Sequence, residues 1–314
     1  MVEPIALLAL AVDAVFGWPQ WLYRVVGHPV GAFARVITLC ARWWNQPSYL
    51  AIWRRIVGVA LVLILVLIAG GTGWALQCLL LRHAGSWAWP AIALLAAPGL
   101  AQRSLHDHLV PVVVALEAQN MPAARKAVSM IVGRDTATLD ESGVSRAAIE
   151  SLAESFCDGV AAPLFWLLVL GLPGIWIYKA INTADSLVGH REEPWGAFGW
   201  AAARTDDLLN LLPARIAGAL ICLCGQGGWC TLWRDASKHA SPNAGWPEAA
   251  MAGALGVRLA GPIVYDGVPA DKAWIGDGRQ TAGPPDIRRA LTIYRRACFG
   301  LWIVAAAAAW GGRT

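Results

Sequence analysis

The stretch from residue 56 to residue 81 runs for 26 residues without a charged side chain. As a helix it would extend roughly 39 Å, which exceeds the ~30 Å hydrocarbon core of a bilayer. Lipid offers no partners for backbone polar groups, so a spanning segment of this kind must pair them internally, as an α-helix does. With 57% apolar and only 15% charged residues, the chain is predicted to be an all-α, polytopic integral membrane protein.

Two further apolar segments predict additional membrane-embedded helices. The segment 87–100 is expected to return across the membrane, with Pro98 and Gly99 breaking its end. The segment 159–177 contains Pro163 and a Gly-Leu-Pro-Gly run at 171–174. We expect it to dip into the membrane and return as a broken helical hairpin, a form that is tolerated where it is buried in protein or lines a cavity.

The C-terminal half predicts one more interrupted segment and a final helix. Residues 225–228 (Gly-Gln-Gly-Gly) interrupt the apolar segment 216–233. The segment 298–310 is a last apolar helix that is short for a span, and residues 261–285, rich in Gly and Pro, predict a surface loop.

The distribution of charged residues and cysteines limits the class of protein, and the charged residues also predict its orientation in the membrane. The net charge is +4 and no dense Lys/Arg tract points to nucleic acid. Scattered cysteines without a C-x-x-C pair predict free thiols. Arg54 and Arg55 precede the first span and place that end in the cytoplasm, so after one return the block 102–158 is cytoplasmic as well. We expect one membrane-embedded domain over 1–314, with most polar, cytoplasm-facing segments in 102–158 and 178–296.

Ionisable side chains near apolar segments are costly, so their clusters indicate a functional site. In the first cluster, Arg146, Glu150, Glu154 and Asp158 recur every four residues and share one helix face. An acid on this face could bind or deprotonate a substrate, and the alternative is a solvated face with weak i,i+4 pairs.

The second cluster joins Lys179, Asn182 and Asp185 on one predicted helix. A lysine ammonium is a point charge for phosphate, and amide and carboxylate oxygens can hold Mg²⁺ or a substrate amide. The alternative is solvation of a helix end.

The third cluster is Arg204, Asp206, Asp207 and Asn210, with Arg215 beyond it. Carboxylates with an amide one turn later can present oxygens to Mg²⁺, and the arginines can clamp phosphate bidentately. The alternative is an acidic pair that is stabilised at a helix N-terminus.

The fourth cluster is a polar loop before a helix, with Lys238, His239, Ser241, Asn243 and Gly245. Backbone N–H groups at such a start bind anions, and Lys238 and His239 add positive charge. Ordinary helix capping is the alternative.

Long strings of this sequence closely resemble one protein family. They are S-M-I-V-G-R-D-T (129–136), E-S-L-A-E-S-F-C-D-G-V-A-A-P-L-F (150–165), Y-K-A-I-N-T-A-D-S-L-V-G-H (178–190), F-G-W-A-A-A-R-T-D-D-L-L-N-L-L-P-A-R (198–215) and S-P-N-A-G-W-P-E-A-A-M-A-G-A-L-G-V-R-L (241–259). The chain thereby resembles the CobD/CbiB family of cobalamin biosynthesis, in order and over most of its length.

The resemblance implies an enzyme, adenosylcobinamide-phosphate synthase, in the bacterial inner membrane with its active site toward the cytoplasm. It implies ATP- and Mg²⁺-dependent amide formation between aminopropanol or its phosphate and the free propionate of adenosylcobyric acid. The activated intermediate, an acyl phosphate or an acyl adenylate, stays open, as does the phosphorylation state of the amine. The implied partners are these corrinoid and amine substrates, membrane lipid and, further, other cobalamin-biosynthesis enzymes.

The resemblance also gives the clusters tasks. The expected catalytic residues are Glu154, Asp158, Lys179 and Asp185. The expected substrate- or phosphate-binding residues are Arg134, Asn182, Arg204, Arg215, Lys238, His239, Ser241, Asn243 and Gly245. The expected Mg²⁺ ligands are Asp206, Asp207 and Asn210. A membrane transporter, or a scaffold for corrinoid enzymes, remains as an alternative to the enzyme, since broken helices and buried charges suit a transporter as well.

Overall fold

The computed structural model describes residues 4–265, 268–270 and 273–311, and its regular structure is almost entirely helical. The helices are α1 Ile5–Phe16, α2 Gln20–Val26, α3 Pro29–Trp44, α4 Ala51–His83, α5 Ala88–Ala96, α6 Gln102–Glu117, α7 Met121–Ser129, α8 Glu141–Phe156, α9 Ala162–Val188, α10 Trp200–Leu209, α11 Leu211–Gly225, α12 Trp229–Asp235, α13 Gly245–Leu255 and α14 Pro284–Gly311. A π turn, Cys157–Ala161, joins α8 to α9. The predicted all-α membrane fold is confirmed.

Within the described residues, three helical segments are long and apolar enough to cross a membrane: Ala51–His83, Glu141–Val188 and Pro284–Gly311. The number rises to five if two bent helix pairs each count as one span, the first of them being Ile5–Phe16 with Gln20–Trp44. The chain is therefore a multi-helix membrane protein.

The predicted span 56–81 forms the central part of α4, and this helix has one buried face and one exposed face. Leu61 and Leu65 are fully or almost fully buried, whereas Leu63 and Leu67 are 57% and 71% exposed. An apolar face that is not covered by protein suits contact with lipid. The buried face packs against α3, α9 and α10.

Arg54, at the start of α4, is a buried structural residue. Its Nε donates to Oδ1 of Asn45 at 2.7 Å, and its Nη2 donates to Glu193 at 2.9 Å and to the Pro194 carbonyl. Its side chain is only 6% exposed. Burial of a guanidinium requires partners of this kind, so Arg54 has a structural role in the fold, and its role in orientation stays a prediction.

The predicted break in the segment 159–177 is confirmed at Gly171. Its backbone has φ 68° and ψ −150°, a region that is essentially restricted to glycine. Beyond it, an added Cβ at Gly174 would lie 2.2 Å from the Trp166 carbonyl oxygen. A straight helix would hold residues eight positions apart at roughly 12 Å, so the chain bends sharply here. Pro163 introduces no break, because it lies in the first turn of α9.

A glutamine on α4 stabilises this bend. The Leu172 N–H, freed from the helix ladder by the break, donates to Oε1 of Gln77 at 2.8 Å. The predicted interruption at 225–228 is also confirmed, because α11 ends at Gly225 and α12 begins at Trp229.

Two sequence-based expectations were wrong in their bounds. The segment 87–100 forms only the nine-residue α5 between two 3₁₀ turns, which gives about 14 Å of α-helix. It is not among the helices long enough to cross a membrane, so the side on which 102–158 lies stays a prediction. The last helix begins at Pro284, not near residue 298, and at 28 residues it is long enough for a span.

Short strands lie within the described part of the predicted loop 261–285 and just before it. These are β1 Leu259–Ala260, β2 Ile263–Tyr265, β3 Val268–Ala270 and β4 Trp274–Ile275, and β1 pairs with β4 and β2 with β3, both antiparallel. The seven cysteines are free thiols, as predicted.

By internal packing the chain divides into two compact units. The first unit comprises residues up to Ala101, Ala162–Asn210 and the chain from Val304 onward. The second unit comprises Gln102–Ala161 and Leu211–Ile303. Within the second unit, Asp140 caps α8 by accepting the Gly143 N–H at 2.7 Å.

Candidate active site

The predicted site residues divide between the two units, and each group is described within its own unit. The first unit contains Lys179, Asn182, Asp185, Arg204, Asp206, Asp207 and Asn210. The second unit contains Arg134, Glu154, Asp158, Arg215, Lys238, His239, Ser241, Asn243 and Gly245.

In the first unit, Asp206 is the centre of a buried polar chain between α9 and α10. Its Oδ2 accepts from Asn210 at 2.9 Å, and its Oδ1 accepts from Asn182 at 3.3 Å. The chain continues from Asn210, whose Oδ1 accepts from the Tyr178 hydroxyl at 3.1 Å. Asp206 is 8% exposed and Tyr178 is fully buried. Burial of such groups in apolar surroundings is tolerated because they are paired.

Asp207 points away from this chain. Adjacent residues on a helix are rotated by about 100° from each other, and Asp207 pairs instead with Arg204 at 3.2 Å. Of the three predicted Mg²⁺ ligands, Asp206 and Asn210 contact each other and Asp207 pairs with Arg204, so their role as metal ligands stays a prediction. Among the described residues, no group of three His, Cys, Asp or Glu is arranged to hold a metal ion.

Lys179 and Asp185 flank the polar chain on α9. The half-buried Lys179 has its Nζ 6.0 Å from the Tyr178 ring centroid. Asp185 lies at the C-terminal end of α9, where an added Cβ at Gly189 would lie 2.0 Å from its Oδ1. Because glycine at position 189 has no side chain, the Asp185 carboxylate can pack directly against the backbone there. The structure brings Asn182, Asp206 and Asn210 together and leaves Asp185 at the helix end.

In the second unit, a cavity of about 150 Å³ collects several predicted residues. We name it the acidic cavity after its charged lining: Arg134, Glu150, Glu154, His239 and Glu248. The loop that follows α7, one face of α8, the first turn of α13 and β1 contribute to it. Arg134, Glu154 and His239 were predicted site residues, and the structure places them around one cavity.

The wall of the acidic cavity is held by an ion pair. Arg134 Nη2 lies 2.7 Å from Glu150 Oε2, with side-chain exposures of 10% and 15%. The other carboxylate oxygen accepts the Ala260 N–H at 2.8 Å. Both oxygens of Glu150 are thus occupied, and Arg134 is fixed in position.

Hydrogen bonding assigns the tautomer of His239. Its Nδ1 accepts the Ser241 N–H at 3.0 Å, so this nitrogen carries no proton and the neutral ring has its proton on Nε2. Nε2 faces Oε1 of Glu248 at 3.7 Å, and the Glu248 side chain is 5% exposed. His239 therefore faces a buried carboxylate at the cavity wall.

The loop 238–245 was predicted to bind an anion, but several of its backbone N–H groups donate to acceptors within the loop itself. The N–H groups of Asn243 and Ala244 both donate to Ser241 Oγ at 3.2 Å, and Trp246 N–H donates to the Asn243 carbonyl. Gly245 allows close packing, because an added Cβ would lie 2.0 Å from the Ala236 carbonyl oxygen. These N–H groups point into the loop and not outward.

Arg215 and Asn243, both predicted binding residues, contact each other. Arg215 Nη1 donates to Asn243 Oδ1 at 2.7 Å, and its guanidinium lies 4.6 Å from the Trp246 ring centroid. Stacking and hydrogen bonding fix the plane of this guanidinium.

Lys238 is engaged in a buried charge cluster. Its Nζ lies 2.7 Å from Oδ1 of Asp235, whose side chain is fully buried. Hydrogen bonds from Arg234, and further ones from Lys238 and the Gly276 N–H, hold the pKa of Asp235 well below its ordinary value. The ammonium predicted to bind phosphate is therefore committed to Asp235.

Asp158 lies in the π turn that follows α8. The spacing of Glu150, Glu154 and Asp158 assumed one continuous α-helix, but α8 ends at Phe156. A π turn changes the register of the side chains that follow, and such turns are frequent at functional sites. Glu150 and Glu154 are among the residues that line the acidic cavity, and Asp158 and Arg146 are not.

Each unit also contains residues that were not among the predicted site residues. Glu248 and Glu150 both line the acidic cavity, and Tyr178 completes the Asp206 chain. Glu150 was visible as a member of the periodic face and Glu248 as the acidic residue in the first turn of its helix. The sequence held no signal that would bring these two glutamates to the same cavity.

Comparison with known proteins gives a consistent picture. The family model described as CobD/Cbib protein matches residues 6–294. The cobalamin biosynthesis protein CobD of Rhodobacter capsulatus is 47% identical over 304 residues, which cover 95% of this chain and 94% of that protein. The protein of the same name from Rhizobium meliloti (strain 1021) is 44% identical over an alignment of 321 residues, gaps included. The alignment covers 97% of this chain and 96% of that protein. No solved structure matches the chain. The chain belongs to the CobD/Cbib family.

Proposed function

We propose that this protein acts in cobalamin biosynthesis as adenosylcobinamide-phosphate synthase, an ATP-dependent amide ligase. It joins (R)-1-amino-2-propanol, or its O-phosphate, to the free propionate of adenosylcobyric acid. The observation that carries the proposal is the family match over residues 6–294, together with relatives named for cobalamin biosynthesis.

The reaction requires activation of a carboxylate. ATP transfers a phosphoryl group to the propionate oxygen and leaves as ADP, or transfers an adenylyl group and leaves as pyrophosphate. The ammonium of the amine loses a proton, and the free amine attacks the acyl carbon. The C–N bond forms as the C–O bond to phosphate or AMP breaks, and a second proton leaves the nitrogen.

The proposed roles of the charged residues follow from their surroundings. In the first unit, Lys179 beside the buried Asp206 chain is a candidate for binding phosphoryl oxygens, and Arg204 is another. In the second unit, Glu154 is the candidate that holds or deprotonates the ammonium. Buried polar chains such as that of Asp206 are costly in a membrane protein and are kept mainly where they serve function.

Mg²⁺ remains part of the proposal without an assigned site. The amide groups of Asn182 and Asn210 turn their N–H toward Asp206, and Asp207 faces Arg204. These side chains are engaged with one another and with Arg204, so no step is assigned to the metal. The bacterial inner membrane, with the site toward the cytoplasm where ATP is supplied, is the proposed location.

A direct assay tests the reaction. Protein purified in detergent is incubated with adenosylcobyric acid, ATP, Mg²⁺ and either aminopropanol or its phosphate, and the mass of the corrinoid is followed. We expect an ATP-dependent mass increase that corresponds to the amide of one of the two amines.

The outcomes separate the alternatives. If an amide forms with free aminopropanol and not with its phosphate, the substrate is the free amine and the proposed ligase activity stands. No amide with either amine from folded protein contradicts the ligase. Accumulation of corrinoid inside proteoliposomes would then indicate a transporter, and binding of other corrinoid enzymes without product would indicate a scaffold.

A further inference from the structure

Helix α14 has one exposed face whose character changes along its length. Near its start this face carries arginines, and further on it carries apolar side chains such as Phe299 and Ile303, which are 66% and 57% exposed. The exposed arginines are Arg288, Arg289, Arg295 and Arg296. At about 100° of rotation per residue, these six side chains lie within about 120° of the helix circumference. The charged part and the apolar part therefore follow one another on a single face.

The neighbouring helix α11 ends at the height of these arginines. Arg296 Nη1 lies 3.5 Å from the carbonyl oxygen of Cys224, in the last turn of α11. Further along α14, an added Cβ at Gly300 would lie 3.3 Å from Leu220, so the two helices run antiparallel. Residues 216–225 of α11 carry no charged side chain. An apolar helix that ends beside arginines of its neighbour indicates that the membrane surface lies at this height.

Two of the four arginines have no acidic partner within the described part of the chain. Arg288 forms an ion pair with Glu117, so its charge is compensated. Arg295 and Arg296 form no ion pair with a described residue, and the carbonyl beside Arg296 is a neutral group. A guanidinium has five N–H donors. Both side chains therefore retain donors for a ligand outside the protein.

The position along the helix axis decides which arginines reach the lipid. Phe299 follows Arg295 and Arg296 by one helical turn, a rise of about 5 Å, and the headgroup region of one leaflet is about 5–8 Å deep. With Phe299 at the edge of the hydrocarbon, Arg295 and Arg296 lie among the headgroups. Arg288 and Arg289 lie about 10 Å further out, which exceeds the Debye length of about 8 Å at physiological salt.

The chemistry of a guanidinium selects the lipid. Its planar fork binds two phosphate oxygens at once. A zwitterionic headgroup offers a phosphate together with a cation of its own, whereas an anionic headgroup brings a net negative charge. Juxtamembrane basic side chains are attracted to anionic lipid for this reason. Two uncompensated arginines above an apolar surface are therefore complementary to an anionic phospholipid.

We propose that Arg295 and Arg296 form a binding site for an anionic phospholipid on the exposed face of α14. The two guanidinium groups bind the headgroup phosphate, and Phe299 and Ile303 contact the acyl chain below it. The proposal requires only that α14 spans the membrane, and it is independent of the ligase reaction.

Titration with two lipids tests this site. The full chain in detergent is titrated with phosphatidylglycerol or with phosphatidylcholine of the same acyl chains, and the bound lipid is counted by native mass spectrometry. We expect phosphatidylglycerol to bind more tightly, and more weakly as salt is raised. Arg295→Gln and Arg296→Gln should each weaken phosphatidylglycerol about fivefold and leave phosphatidylcholine nearly unchanged.

Arg288→Gln is the matched control. It removes the same charge from the same face of the same helix, but further from the apolar side chains and beside Glu117. We expect less than about a twofold change in the Kd of phosphatidylglycerol. Arg295 makes no hydrogen bond or ion pair with a described residue, so Arg295→Gln removes no such contact from the fold. Thermal unfolding in the same detergent checks that each variant is folded.

Three results would overturn the proposal. The first is equal affinity of the wild type for the two lipids. The second is a loss of phosphatidylglycerol that is as large in Arg288→Gln as in Arg295→Gln, because it would reflect the overall charge of the chain and not a site. The third is displacement of phosphatidylglycerol by millimolar inorganic phosphate at constant ionic strength, which would indicate a site for a soluble anion.

Discussion

The Asn210 side chain donates from Nδ2 to Oδ2 of Asp206 at 2.9 Å, one helical turn before it. Asn182 approaches the other oxygen of the same carboxylate from α9. Two amide N–H groups therefore converge on Asp206, and only an acceptor satisfies both of them.

Asp206→Asn should destabilise the fold more than Asp207→Asn. The first change puts an NH₂ group opposite an N–H donor in a buried place, which costs about 1–3 kcal/mol of unfolding free energy. The second removes a partly exposed pair with Arg204, worth less than about 1 kcal/mol. Thermal unfolding followed by tryptophan fluorescence measures both, and equal shifts would contradict the hydrogen-bonded arrangement of Asp206.

Gly171→Ala should lower the melting temperature. The backbone region of Gly171 costs other residues about 1–3 kcal/mol, and an added Cβ would lie 2.5 Å from Gln77 Oε1. Gly71→Ala is the control, since a Cβ there meets nothing within 4 Å and alanine favours a helix. If Gly171→Ala melted like Gly71→Ala, the bend in α9 would be wrong.

The Arg134–Glu150 pair should show measurable coupling. Because both side chains are largely buried, a double-mutant cycle with Arg134→Gln and Glu150→Gln should give a coupling energy above about 1 kcal/mol. The exposed pair Arg288–Glu117 serves as the comparison and should couple more weakly, because water screens it. Similar coupling in both pairs would contradict the burial of the cavity wall.

Asp235→Asn should destabilise the protein at neutral pH by about 1.5–3 kcal/mol, since it removes a charged acceptor from several donors. Asp235 has a folded-state pKa below its ordinary value, so the ionised form stabilises the fold. The stabilisation is fully present above the pKa of an unfolded aspartate, about 3.9, and is lost as the pH falls through the folded-state pKa.

The difference in melting temperature between wild type and Asp235→Asn should therefore stay constant from pH 8 to about pH 5. Asp277, another partner of Arg234, is 72% exposed, and Asp277→Asn should have a smaller effect over the same range. A difference that disappeared between pH 8 and pH 6 would show that another group is responsible.

Features that depend on neighbouring residues were predictable from the sequence. The uncharged run 56–81 and the glycines at 171 and 225–228 determine a span and two breaks locally, and the structure has all three. The start of α14 was missed because residues 284–297 carry several arginines, although Pro284 suits the first turn of a helix.

The site was predictable only in part, because its assembly depends on tertiary packing. The sequence pointed to Arg134, Glu154 and His239 separately, and the fold of the second unit brings them to one cavity. The predicted face assumed one α-helix through Asp158, but Asp158 lies in a π turn that begins after Phe156. The spacing of residues in the sequence does not show where a helix changes from α to π. It also does not show which distant residues meet, such as Glu150 and Ala260, which lie 110 positions apart.

The turn from His239 to Ala244 is held in its conformation by hydrogen bonds between its own residues, without a ligand. Ser241 satisfies two N–H groups, and its own N–H orients the imidazole of His239. A small molecule that enters the acidic cavity therefore meets a ready-made wall. The entropy of ordering this loop was lost when the chain folded, so it need not be subtracted from the free energy of binding.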